Sequence, residues 1–202
     1  MTSLNITKYL SPLFVILMLN NCAQESESKE SRVSYGFVQD YKTLLIHKRN
    51  GADIKVCGNI SDEIFNGIKE SIAVWGNAIS RTYTVSKSRC NVSDITAYPY
   101  GSYYAESGCK SLSERGINAA MYVEFENMRL VSCTPADSTY ITHEVGHLFG
   151  LCDQYAGAPA NCVSSTTKDP KSIMAGGYFF GILQEDDIAG IRALAKKYSY
   201  EQ

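Results

Sequence analysis

His143-Glu144-Val145-Gly146-His147 sets two imidazoles four residues apart, a spacing that puts them together only on a helix. Four residues advance an α-helix by about one turn and about 40° around its axis. The flanking apolar residues Ile141, Val145 and Leu148 keep helical spacing on one face. The segment 139–149 is therefore predicted to be a helix, and Gly150 is its stop signal.

Two imidazoles aimed at one point suit a metal ion. Catalytic zinc takes neutral nitrogen ligands, keeps one position open for water, and works with a base nearby. Glu144 lies beside the pair and is placed to act as general base without being a ligand. The chain continues His147-Leu148-Phe149-Gly150-Leu151-Cys152-Asp153. Gly150 lets the backbone leave the helix sharply, so that Asp153 can swing back as the third ligand. His47 is the one other histidine of the three, and it is read as non-functional. The alternative third ligand is a glutamate on a distant helix, for which Glu185 is the candidate.

The N-terminus reads as an export signal. Lys8 precedes an apolar run from Leu10 to Leu19, broken by Ser11 and Pro12 and too short for a stable transmembrane helix. Asn20-Asn21-Cys22 and a polar stretch follow. Leu19-Asn20-Asn21-Cys22 resembles the bacterial lipobox, which implies a lipid anchor at Cys22, although asparagine is bulkier than the usual small residues there. Cleavage and secretion without lipid is the alternative. Residues 1–21 are thus expected to be a signal peptide and 22–38 a lipidated N-terminus and tether. Residues 39–202 would form the folded domain, exported to the cell envelope.

Cysteine count agrees with export. Seven is an odd number for an oxidising compartment, and setting Cys22 aside leaves six. Their connectivity is open. Cys152 and Cys162 are the favoured pair, because they bracket a short loop rich in Gly, Pro and Ala. A net charge of −2 gives no electrostatic reason for a nucleic-acid partner. A monomer is expected.

The remaining periodicities place a strand at 53–57, a helix at 62–80, strands at 92–100, 119–125 and 128–133, and a final helix at 186–198. The 62–80 helix carries Ile64, Phe65, Ile68, Ile72, Trp75 and Ile79 at helical spacing, with Ser61 or Asp62 as N-cap. Strands flanking a central helix, with helices at each end, make the class α+β.

The pattern HExxHxxGxxD resembles the metzincin peptidases, and its aspartate ending is similar to snapalysins. Tyr155, the Cys152/Cys162 pair and Ser172-Ile173-Met174 match that resemblance, which makes Met174 the Met-turn residue under the metal. Ile72-Ala73-Val74-Trp75 and the segment 184–194 resemble the first and last helices of matrix metalloproteinases. The resemblance implies a twisted mixed sheet over a backing helix, an active-site helix, the Met-turn and a C-terminal helix. It implies a zinc endopeptidase acting on protein or peptide, bound by strand addition along 119–126, with Tyr178-Phe179-Phe180 beside the cleft. Tyr155 or Tyr178 is the candidate oxyanion donor. A catalytically silent envelope lipoprotein that keeps the fold for binding is the alternative.

Overall fold

The computed structural model describes residues 41–117, 119–135, 138–153, 172–175 and 182–199, with the side chains of 138, 139 and 199 left aside. The chain divides into two units, Met1–Arg32 and Val33–Gln202, and every described residue belongs to the second. Cys22, Tyr155, Cys162 and Tyr178 lie outside the described residues.

Five strands form one mixed sheet: β1 (Asp53–Cys57), β2 (Thr84–Lys87), β3 (Ile95–Tyr98), β4 (Met121–Glu124) and β5 (Arg129–Ser132). Their order is β2-β1-β3-β5-β4. The first four in that order run parallel, and β4 closes one edge antiparallel to β5, with Met121 opposite Ser132 and Glu124 opposite Arg129. The helices are α1 (Asp62–Ala78), α2 (Tyr103–Glu114), α3 (Ser138–Phe149) and α4 (Glu185–Ser199). The class is α+β, as expected.

Alternation along the strands separates two faces. Ile95, Ala97, Met121 and Leu130 join α1 and α3 in the core. Helix α1 contributes Ile68, Ile72 and Trp75, all fully buried. Ser61 caps α1 by accepting from the Ile64 amide at 3.3 Å. Gly67 lets α3 approach α1: a β-carbon there would lie 2.7 Å from Ile141 Cδ1.

Tyr98, Tyr122, Glu124 and Arg129 hold the other face, where α2 packs. Tyr104 of α2 stacks on Tyr98 and donates to Glu124 at 2.7 Å, while Arg129 donates to the Tyr104 hydroxyl at 2.8 Å. A disulfide joins Cys109 of α2 to Cys133, just past β5, and a second joins Cys57 to Cys90.

Several expected boundaries shift. Helix α1 ends at Ala78 rather than 80, because Ser80 takes a left-handed conformation with φ 56°. Strand β3 is shorter than 92–100: Cys90–Val92 is a 3-10 turn beside the Cys57 disulfide, and Pro99 lacks the amide a ladder needs. The expected strand 119–125 begins at Met121 and gives way to a 3-10 turn at Phe125–Asn127. Strand β2 and helix α2 were not anticipated from the sequence.

Candidate metal centre

Helix α3 is buried by its Ile141, Val145 and Leu148 stripe, and this fixes where its histidines point. His143 Nδ1 donates to the Ile173 carbonyl at 2.7 Å, and His147 Nδ1 donates to the Leu151 carbonyl at 2.7 Å. A carbonyl can only accept, so both Nδ1 atoms carry hydrogen. Each Nε2 is left with its lone pair facing the other, 3.2 Å away.

Gly150 brings in the third group. Its φ of 109° turns the chain out of the helix, with the Gly150 amide bonded to His147 O and the Leu151 amide to Gly146 O. A side chain there would be crowded: a β-carbon would meet Leu194 and Leu44 at 3.1 Å. Three residues on, Asp153 Oδ1 lies 3.1 Å from His143 Nε2 and 3.2 Å from His147 Nε2. Among the described residues, no hydrogen bond of regular geometry reaches that buried oxygen.

These three atoms make a nearly equilateral triangle. Ligands at ~2.0–2.1 Å around a tetrahedral ion are separated by ~3.3–3.4 Å. The observed edges of 3.1, 3.2 and 3.2 Å are slightly contracted from that face. Three acceptor atoms pointing at one another, with the histidine Nδ1–H groups held from behind, fit a small cation. The donor set of two imidazoles and one carboxylate fits zinc.

Without an ion, the same cluster attracts protons. Burial opposes a charge on His143, but Asp153 and Glu144 outweigh it and raise its pKa to about 9. Burial also opposes the charged form of Asp153, yet His147 and His143 hold its carboxyl far below the usual carboxylate range. Glu144 is 6% exposed, and burial pushes its carboxyl up against the lowering effect of the two histidines. Ligand atoms of His143, Glu144 and His147 all lie within 4.8 Å of one another, a group able to hold a metal.

Met174 lies beneath this helix. A β-carbon at Gly146 would fall 2.6 Å from Met174 Sδ and 2.8 Å from Trp75 Cζ2. Trp75 also donates its indole N–H to the Thr142 carbonyl at 2.8 Å. Phe125, just after β4, meets the His147 ring edge-on with centroids 5.6 Å apart. Sequence reasoning missed Phe125, since nothing in its surroundings marks it out.

Other candidates fall elsewhere. Glu185 is exposed in the first turn of α4. His47 packs edge-on against Tyr198. Cys152 is disulfide-bonded, and Cys162 lies outside the described residues. A cavity of about 670 Å³, lined by Asn59, Tyr98, Tyr100 and Arg129 among others, includes none of His143, Glu144, His147 or Asp153.

No protein-family description and no curated protein matches the sequence. Solved structures do. One structure of myroilysin aligns over 79% of this chain and 98% of its own, at 14% identity and a TM-score of 0.48. Another aligns over 73% of this chain and 85% of its own, at 13% identity and a TM-score of 0.44.

Proposed function

We propose that this protein is a zinc-dependent endopeptidase of metzincin type, with His143, His147 and Asp153 as ligands and Glu144 as general base. The observation that carries the reading is the convergence of three lone-pair atoms, 3.1–3.2 Å apart, beside a buried carboxyl.

A zinc ion held there would polarise a scissile carbonyl and acidify a water. The chain's own groups do the rest. Glu144 takes the proton of the attacking water and passes it to the leaving amine. Its burial favours the neutral form and gives the carboxylate a reason to accept a proton. Met174 supports α3 from below, and Gly150 directs Asp153. The edge of β4 offers backbone groups for an extended peptide. Tyr155 remains the candidate oxyanion donor and Cys162 the proposed partner of Cys152.

Two disulfides support an oxidising, extracytoplasmic setting. Anchoring through a lipid on Cys22 is part of the proposal and rests on the sequence alone.

The test is zinc content together with cleavage of an unstructured protein, comparing wild type with Glu144→Ala. The variant should keep its zinc and lose turnover by about 100-fold or more. Equal activity in both would sink the mechanism. A zinc-loaded wild type that cleaves nothing would favour the silent binding lipoprotein instead.

A further inference from the structure

Behind the carbonyl that holds His143 lies a buried chain of hydrogen bonds. The Ile173 oxygen that accepts its Nδ1–H belongs to the peptide unit whose N–H is that of Met174. The Met174 amide donates to Ser172 Oγ at 3.1 Å, and the Ser172 hydroxyl donates to Asp187 Oδ1 at 2.6 Å. The other carboxylate oxygen, Asp187 Oδ2, accepts from the Ile173 amide at 3.1 Å and the Gln184 amide at 2.8 Å. Ser172 and Asp187 are 0% and 1% exposed, so water does not interrupt the chain.

We propose that Asp187 and Ser172 are positioning residues for His143, acting through the Ile173–Met174 peptide unit as a hydrogen-bonded relay. The inference rests on the reading of His143 as a zinc ligand.

The physical case has two parts. First, each link points the same way: imidazole to carbonyl, amide of that same peptide to hydroxyl, hydroxyl to carboxylate. Hydrogen bonds in such a chain polarise one another, most of all in a low-dielectric interior. The Asp187 charge therefore makes the Ile173 carbonyl a stronger acceptor, which holds His143 in the Nδ1–H tautomer and enriches its Nε2. A carboxylate touching a ligating histidine does this directly. Here the carboxylate stands back behind a hydroxyl and a peptide. Second, the same side chain fixes the segment in place. Asp187 is the third residue of α4 and bonds back to the Gln184 amide, as a capping carboxylate does. The Met-turn and the C-terminal helix are thus registered on one buried group, and the ring of His143 is registered on the Met-turn.

A purely structural role would leave Asp187 as a cap and nothing more. The full chain distinguishes the two. Asp187→Asn removes the charge with little change of shape, and Ser172→Ala cuts the relay while leaving both Asp187 Oδ2 bonds. Two readouts apply: zinc affinity by competition with a chromogenic chelator, and the His143 Nδ1–H resonance by proton–nitrogen NMR.

Each substitution is expected to weaken zinc about 10-fold or more and to shift the His143 resonance upfield. The double variant should be no worse than the weaker-binding single one, because both act on one chain. Folded variants with wild-type zinc affinity and an unmoved resonance would overturn the relay. Additive losses would also overturn it, since Asp187 would then act on the fold and not through Ser172. If Asp187→Asn does not fold, Ser172→Ala decides alone. A wild type that takes up no zinc would defeat the metal-site reading, and the resonance in the metal-free variants would still judge the relay.

Discussion

Gly146 and Met174 are in contact across the floor of the site, so close that a single added carbon on Gly146 would lie 2.6 Å from the methionine sulfur. Gly146, one of the three residues between the two histidines, is therefore small because Met174 is directly beneath it. Gly146→Ala should cost about 1–3 kcal/mol by overpacking. It should also push α3 away from Met174 and weaken zinc. Gly67→Ala is the control: its nearest neighbour is the flexible tip of Ile141 at 2.7 Å. Thermal unfolding and zinc titration of the two variants test this. Equal zinc affinities would mean that Met174 does not set the height of the helix.

Gly150 bears a different constraint, a backbone one. With φ at 109°, any side chain is strained by about 1–3 kcal/mol, and the contacts with Leu44 and Leu194 at 3.1 Å add to it. Gly150→Ala is expected to lower both stability and zinc affinity, since Asp153 depends on this turn for its direction. A variant that loses stability but binds zinc like wild type would separate the turn from the ligand.

The candidate metal site was legible because its information is local. The four-residue spacing of His143 and His147, the Gly150 break and Asp153 lie within eleven positions, and helix geometry converts spacing into convergence. Helix α2 was not legible for the opposite reason. Of its residues only Ala105 is buried, so no apolar stripe marks it, and it packs through Tyr104 and Gly108 against tyrosines of the sheet. Ser102, which caps it through the Ala105 amide at 3.3 Å, was the available signal. Strand β2 is a half-exposed edge without alternation. The Cys57–Cys90 pairing depends on strand order: β1 and β3 are neighbours, and the turn that precedes β3 carries Cys90 to the end of β1. No local pattern encodes that. Asp187 was seen as part of a helix opening, and its bonds to Ser172 and Ile173 needed the fold.

The Cys109–Cys133 disulfide ties α2 to the stretch between β5 and α3. Closing its loop of separation 24 is worth about 3 kcal/mol in the chain-entropy treatment. Replacing both cysteines with serine should lower the melting temperature and make α2 the first site of proteolytic nicking. Limited proteolysis with mass spectrometry reads this out. A variant as resistant as wild type would show that Tyr98, Tyr104 and Glu124 hold α2 without the covalent link.

Zinc should stabilise the folded chain by mass action, because the triangle of His143, His147 and Asp153 exists only in that state. At a free concentration about 100 times the dissociation constant the gain is about 2.7 kcal/mol. It should vanish with a strong chelator. The same measurement chooses the third ligand. In Asp153→Ala the zinc-dependent rise in melting temperature should shrink, since two imidazoles alone bind weakly and the buried cluster loses its negative charge. In Glu185→Gln the rise should equal that of wild type, because Glu185 is exposed on the first turn of α4. Melting curves of the three proteins, with and without zinc at fixed pH, are sufficient. If Glu185→Gln loses the rise and Asp153→Ala keeps it, the metal is held from α4, and the converging Asp153 oxygen is a partner of the histidines in the metal-free protein only.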